Sequence, residues 1–380
     1  MDCYVKNNSI VMLLGGEARS CLAATRSLGL AGYKVIVCSE KKRCLSSVSK
    51  YSHNSLAYPS PLHFKEEFQS WLSKIVLSEK PDWLIPLTDT NMEAVLEIEA
   101  ELRASTQIPT VSNELFSKVS DKSALLELAN ELGLNTPKTI SPDTATVSEI
   151  KSFPYPAVLK PQSSAKAGAN RKILYPTSAE EVINLIKENK GFILQQKISG
   201  VGVGVFAICK DGKTSSLFCH KRLLEKPPSG GVSVLSESIS PEEAPVEHAS
   251  KLLQELNWQG VAMVEFKKHT DGKFYLMEIN PRFWGSLQLA VFSGVDFPKL
   301  LLSAKEEQTS SYQYGLRLRW LLGSFDHLLI RLKKEGIPKV FPIISKNSLQ
   351  ISLSKKTSFD VFRLSDIKPF LFELKNWFWR

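Results

Sequence analysis

Long hydrophobic runs are missing from this chain: no stretch reaches the roughly 18 to 20 apolar residues that a membrane span needs. The N-terminus has no basic region leading into an apolar core, so Val11 to Leu14 reads as a buried strand and not as an export signal. Cysteine is sparse and unpatterned. The six residues Cys3, Cys21, Cys38, Cys44, Cys209 and Cys219 form no C-x-x-C pair, which points to free thiols in a reducing cytosol and a cytoplasmic protein. His53, His63, His220, His248, His269 and His327 are scattered, and no Ser-His-Asp or Cys-His arrangement emerges. A G-x-G-x-x-G fingerprint is absent too. The turn after the first apolar run, GGEARS, lacks its spacing, and Glu17 would repel a pyrophosphate. Gly15 and Gly16 therefore read as a turn, or at most as the edge of a substrate pocket.

What is present is the composition of an ordinary globular protein. With 380 residues, 43% hydrophobic and 23% charged, the chain can build two or three domains with full cores. The net charge of +9 sits in the tail, where residues 317–380 hold 13 Lys/Arg against 5 Asp/Glu. These lysines are spread among Leu, Ile and Phe without a basic cluster, so a solvated face is expected rather than a nucleic-acid partner.

Taken in order, Ser9 to Leu14, Ala18 to Leu30 and Tyr33 to Cys38 read as strand, helix and strand, a parallel α/β opening. Pro81 to Leu87 is another strand. Thr88, Asp89, Thr90 and Asn91 then cap a helix expected over Met92 to Leu102, at the strand end where open α/β sheets place ligands. Ser120-Asp121-Lys122 opens a helix that stops at Gly133. Ala157 to Lys160 is a strand ending on a lysine, followed by the small, polar, basic segment Gln162 to Arg171; this is a lid over phosphates or a surface hairpin. A helix over Ser178 to Asn189 and a strand over Phe192 to Gln196 follow. Val201 to Cys209 and Ser216 to Leu224 pair through Asp211-Gly212, with His220, Lys221 and Arg222 expected to be exposed. Glu242 to Leu256 reads as a helix.

The most informative stretch is Phe274 to Gly285, FYLMEINPRFWG. In a strand, Glu278 and Asn280 point to the same face, two hard oxygen donors followed by Arg282. Pairing of Val261 to Phe266 with Phe274 to Ile279 across Asp271-Gly272 would bring Glu265 beside Glu278. Two facing carboxylates need something positive between them: a divalent metal, or a lysine such as Lys160.

In the order of these pieces the chain resembles the ATP-grasp superfamily, specifically its carboxylate-amine ligase branch. The resemblance spans about Ser9 to Leu302, and MEINPRFWGS followed by GVDFP is its most specific part. It implies an α/β and α+β fold: an N-terminal parallel α/β domain (1–117), a small lobe with a lid loop (118–190), a large lobe with a metal site (191–304) and a small basic C-terminal region (305–380). It further implies that Lys122 and Lys160 hold nucleotide phosphates, with Ser163, Ser164 and Gly168 in the lid. Gln195, Gln196, Lys197 and Ile198 would form the hinge at adenine. Glu265, Glu278 and Asn280 would be ligands for one or two Mg²⁺ ions, with Mn²⁺ an alternative. Arg282 would steady the transferring phosphoryl group, and Arg222 with the Pro227 to Gly231 loop would face the acceptor. Two departures stand out: no carboxylate between Gln196 and Asp211 for the ribose, and a lid poor in glycine.

The activity so implied is ATP-dependent ligation of a carboxylate to an amine through an acyl phosphate, with small-molecule substrates. A carboxylase of the same fold, or a non-catalytic nucleotide-binding module, remain alternatives. A homodimer stays open. The tail has helical spacing over Arg317 to Leu332, with short strands or loops expected at Gln350 to Leu353 and Asp360 to Leu364. The aromatic end FLFELKNWFWR is expected to dock on its own domain; an interfacial membrane contact is the other reading.

Overall fold

The computed structural model describes residues 9–163, 172–303, 311–335 and 356–379. The first sheet is parallel, in the order β3-β2-β1-β4, formed by β1 (Ile10–Leu14), β2 (Lys34–Ser39), β3 (Asn54–Ala57) and β4 (Trp83–Pro86). Val11 to Leu14 are fully buried because helices cover both faces of this sheet, which is why they read as a continuous apolar run. The strand β3 and the helix Lys65–Glu79 lacked a sequence reading. β3 is short and half-exposed, so little apolar patterning marks it.

A second, antiparallel sheet, β5-β7-β6, consists of β5 (Thr139–Ile140), β6 (Ala157–Pro161) and β7 (Phe192–Gln196). The third has seven strands in the order β12-β11-β8-β9-β10-β13-β14. They are β8 (Val201–Lys210), β9 (Lys213–Lys226), β10 (Val232–Ser238), β11 (Gly260–Lys268), β12 (Phe274–Asn280), β13 (Arg317–Arg319) and β14 (Thr357–Phe359). Asp211 and Gly212 both take positive φ, 50° and 72°, which is what a two-residue hairpin between β8 and β9 requires.

Five sequence readings need correction. The helix expected over Met92 to Leu102 is two, Asp89–Leu96 and Glu99–Leu102, because Ile98 leaves helical geometry at φ −115°, ψ 18°. The helix expected to reach Asn189 ends at Leu185, whose carbonyl accepts from Asn189 Nδ2 at 2.7 Å, a side chain taking the place of a backbone donor. Glu242 to Leu256 is a 3-10 turn, Pro241–Glu243, and a helix, Val246–Glu255, separated by Pro245, which has no N–H to offer. His220 is buried, stacked on Phe206 at 4.6 Å, because alternation along β9 turns it inward. Arg317 to Arg319 is a strand paired with β10, and the helix begins only at Leu321. Gln350 to Leu353 lie outside the described residues, and β14 sits just before the segment read as Asp360 to Leu364.

The C-terminal residues thus complete the large sheet. They also clamp the first one. Arg26, on the helix Arg19–Leu30, donates from Nε to Asp366 Oδ2 at 2.8 Å and to the carbonyls of Asp360, Val361 and Asp366 at 3.0, 2.8 and 3.2 Å. One apolar cluster joins Val11, Leu13 and Cys21 to Phe206, Phe218 and Trp284, so the parallel sheet and the large sheet share a core. The C-terminal helix Lys368–Phe378 docks through Trp377 Nε1, which donates to Asp326 Oδ1 at 2.8 Å, while Phe378 and Trp379 stay exposed. Among the described residues no helix is long and apolar enough to cross a membrane.

Candidate active site

The hairpin β11-β12 sets the centre of the site. Its register places Glu265 directly opposite Glu278 and Met263 opposite Asn280. Glu278 and Asn280, two residues apart, share a face, and Asn280 Nδ2 donates to Glu278 Oε1 at 3.0 Å. Asn280 Oδ1 accepts from Arg282 Nη2 at 3.3 Å. The motif E-I-N-P-R is therefore one hydrogen-bonded row at the end of a strand.

Two lysines approach this row from the small sheet and the helix before it. Asp121 caps the helix Lys122–Glu131 by accepting from Ser123 and Ala124 N–H, at 2.9 and 3.2 Å. Its other oxygen takes a bond from Gln162 Nε2 at 2.8 Å, and Lys122 N–H donates to Gln162 O at 3.1 Å. The turn after β6 is thereby tied to the helix start, which is why Lys122 and Lys160 converge. Burial pulls the Lys160 pKa down to about 8 against the attraction of Glu278, with Lys122 pulling it down further.

The two carboxylates are pushed apart electrostatically. For Glu278 burial works upward, but Lys122, Lys160 and the Asn280 bond outweigh it and hold the carboxyl below its ordinary range. For Glu265 burial dominates and, with repulsion from Glu278, raises the pKa in spite of Arg222. Arg222, on β9, pairs with Glu265 through Nη2, and its Nη1 reaches Glu225 Oε1 at 3.2 Å and Gly231 O at 3.3 Å. The charge facing Glu265 is therefore an arginine, and the lysines face Glu278.

These groups line one cavity of about 430 Å³. Its wall contains Lys122, Lys160, Gln195, Gln196, Lys197, Ile198, Arg222, Glu265, Glu278, Asn280 and Arg282, every sequence candidate within the described residues except Ser163. Ser163 instead bridges to Asp121, and Ser164 and Gly168 lie outside the described residues. Gln195 is buried at the hinge: Nε2 donates to Thr139 Oγ1 at 3.1 Å, and Oε1 has no partner among the described residues.

Three functional candidates were not assigned to this site from the sequence. Asp89 binds Arg282 as a fork, 2.6 Å from Nε to Oδ1 and 3.1 Å from Nη2 to Oδ2; the sequence offers it a helix cap, which Thr88 provides instead, or a substrate contact within the Thr88 to Asn91 cluster, and no link to Arg282. Arg19, just after the glycine turn, lines the cavity, lies 4.1 Å over the Trp320 ring and pairs with Asp360. Trp284 lines it as well, with a buried Nε1 that lacks a partner among the described residues. The only signals for Asp89 and Arg19 are their places at the carboxyl ends of parallel strands.

The fold is similar to that of known structures. An L-amino acid ligase from Bacillus licheniformis superposes with a TM-score of 0.63 at 15% identity, over 80% of this chain and 75% of that one. N5-carboxyaminoimidazole synthetase from Staphylococcus aureus gives 0.62 at 14%, over 81% and 80%. Biotin carboxylase from Campylobacter jejuni, in a β-γ-ATP complex, gives 0.62 at 16%, over 82% and 74%. The chain shares its fold with these three enzymes. In sequence, residues 193–323 match a family described as ATP-grasp in the biosynthetic pathway with Ter operon. No curated protein sequence matches.

Proposed function

We propose that this protein is an ATP-dependent ligase that activates a carboxylate as an acyl phosphate and joins it to an amine. The observation that supports this most is the convergence of Lys122, Lys160, Glu265, Glu278, Asn280 and Arg282 on one cavity wall. A mere binding module would not need both carboxylates and the arginine.

The donor set fits Mg²⁺: two carboxylates in cross-strand register and an amide oxygen, all hard ligands, with one carboxylate held ionised. Bound there, the metal would supply charge neutralisation on the nucleotide phosphates. The chain's own groups do the rest. Lys160 and Lys122 bind anionic phosphate oxygens as point charges. The orphan Oε1 of Gln195 accepts from the exocyclic amine of adenine, satisfying a buried acceptor that otherwise costs free energy. Arg282, fixed by Asp89, disperses charge on the phosphoryl group as it passes to the substrate carboxylate. The amine then attacks the acyl carbon, the C–N bond forms as the C–O bond to phosphate breaks, and the departing phosphate takes up the proton that the amine loses. No side-chain nucleophile is required.

An ADP-release screen with paired carboxylates and amines, amino acids first, tests this reading. ADP and phosphate formed only with a productive pair support it. Turnover with bicarbonate as the carboxylate would move the protein to the carboxylase class, and no response with any pair would move it to the binding-module class.

A further inference from the structure

Two helices near the C-terminal end present side chains that the fold does not use. The helix Lys368–Phe378 buries Pro369 and turns Trp377 inward, where its Nε1 donates to Asp326 Oδ1 at 2.8 Å on the helix Leu321–Glu335. Its other face carries Lys368, Leu371, Lys375 and Phe378, spaced i, i+3, i+7 and i+10, and all four are exposed. Phe378 is 70% exposed and the next residue, Trp379, 84%. On the neighbouring helix Phe325 and Leu329, one turn apart, are exposed as well, and Phe325 adjoins the Asp326 that Trp377 holds. Large apolar side chains thus stand in solvent on two helices that the Trp377–Asp326 bond joins.

Charge is sorted in the same region. Residues 317–380 contain five acidic side chains, and each is engaged within the fold: Asp326 by Lys226 and Trp377, Glu335 by Arg331, Asp360 by Arg19, Asp366 by Arg26 and Glu373 by Trp320 Nε1. Lys333, Lys334, Lys368 and Lys375 are exposed and make no ion pair among the described residues. Residues 336–359 add four lysines and no acid. A basic face that only meets water has no need of Trp, Phe and Leu between its lysines.

We propose that this face docks on the surface of an anionic lipid bilayer, with Leu371, Phe378 and Trp379 seated at the headgroup boundary and Lys368 and Lys375 on lipid phosphates and carboxylates. Tryptophan, apolar with one polar N–H, and lysine, whose stem lies along apolar surface while its ammonium stays wet, both suit that boundary. At 11 residues the helix is too short to cross the hydrocarbon, so it lies on the surface. A second copy of the chain fits worse, because two such faces would bring like charges together. Nucleic acid would leave Leu329 and Leu371 unused, since bases stack on aromatic rings. None of these residues lines the main cavity, so the docking stands apart from the ligase reading.

The test is flotation of the full chain with phosphatidylcholine vesicles containing about 30% phosphatidylserine, in about 0.1 M salt, against vesicles of phosphatidylcholine alone. The chain should partition onto the anionic vesicles at least about tenfold better. Phe378→Ser with Trp379→Ser, and separately Lys368→Ala with Lys375→Ala, should each lower that partition about tenfold. All four positions are exposed, so the unfolding midpoint should stay that of the parent. Lys74→Ala with Lys118→Ala, at exposed positions of the first 120 residues, controls for adsorption by net charge and should change partition by no more than about twofold. Partition onto neither kind of vesicle, equal partition onto both, no loss in either tail variant, or an equal loss in the control pair would overturn the proposal. So would a dimer in sedimentation that dissociates in the Phe378 and Trp379 variant of a chain that ignores vesicles, which would give this face to a second copy.

Discussion

Arg26 and Arg282 each meet a carboxylate, yet one is sealed in protein and the other faces a cavity. The side chains of Arg26 and Asp366 are both 1% exposed, and all three guanidinium nitrogens of Arg26 are bonded. Arg282 and Asp89 keep 22% and 17% of their side chains exposed. Arg222 and Glu265, at 14% and 13%, resemble the second kind. The sealed pair fastens the C-terminal residues to the first helix. The open pairs hold charged groups in place without consuming them, which is what a site for moving negative charge needs. The difference teaches that burial together with saturation of donors, more than the identity of the pair, separates a clamp from machinery.

The largest test of this contrast is Glu278→Gln, which keeps shape and removes charge. ADP release should fall by at least about a hundredfold while circular dichroism and the unfolding midpoint remain close to those of the parent. Substantial unfolding of this variant would place Glu278 with the clamp and break the comparison.

Next is Arg26→Met. It removes the cation from a buried Asp366 carboxylate that keeps only the Ser49 Oγ and Lys50 N–H bonds, so urea unfolding should show a loss of about 3 kcal/mol. Arg222→Met, in the open pair, should cost less than Arg26→Met, because Glu265 borders the cavity and, with burial already raising its pKa, can neutralise itself by taking up a proton. Equal losses in the two variants would erase the distinction.

The sequence carried much of this, for identifiable reasons. Alternation and a hairpin turn suffice to bring Glu265 opposite Glu278, since register follows from local chemistry. Lys160 stood out as the lysine closing a strand and Lys122 through the resemblance alone; both line the same cavity. Asp89 and Arg19 were not placed, because their partners lie 193 and 341 residues away, and no local pattern encodes such a contact. Arg26 was equally hidden: its partners lie more than 330 residues away in the chain. The exposure expected for His220 failed because a strand buried on its inner side accepts a histidine once Ser286 Oγ lies 2.8 Å from its Nε2; burial takes its pKa to about 3, so it is neutral.

Asp89→Asn sharpens the open side. It keeps one acceptor for the Arg282 fork and removes the charge, so kcat/KM should fall about tenfold with stability unchanged. A variant with full activity would show that Arg282 needs no holding.

The smallest effect expected is a change in acid stability at the clamp. Burial alone would raise the Asp366 pKa, but Arg26, the Lys50 N–H and Ser49 Oγ together hold it below the ordinary value. A carboxyl depressed in the folded state adds stability that is fully present above its unfolded pKa and is lost as pH falls through its folded one. The parent should therefore exceed Asp366→Asn in Tm near neutrality, with the gap narrowing once pH drops below about 4. A gap for Asp366→Asn that stays constant down to the acid unfolding limit would mean that its carboxylate charge is not what the clamp uses, and that the backbone carbonyls around Arg26 hold the two sheets together on their own.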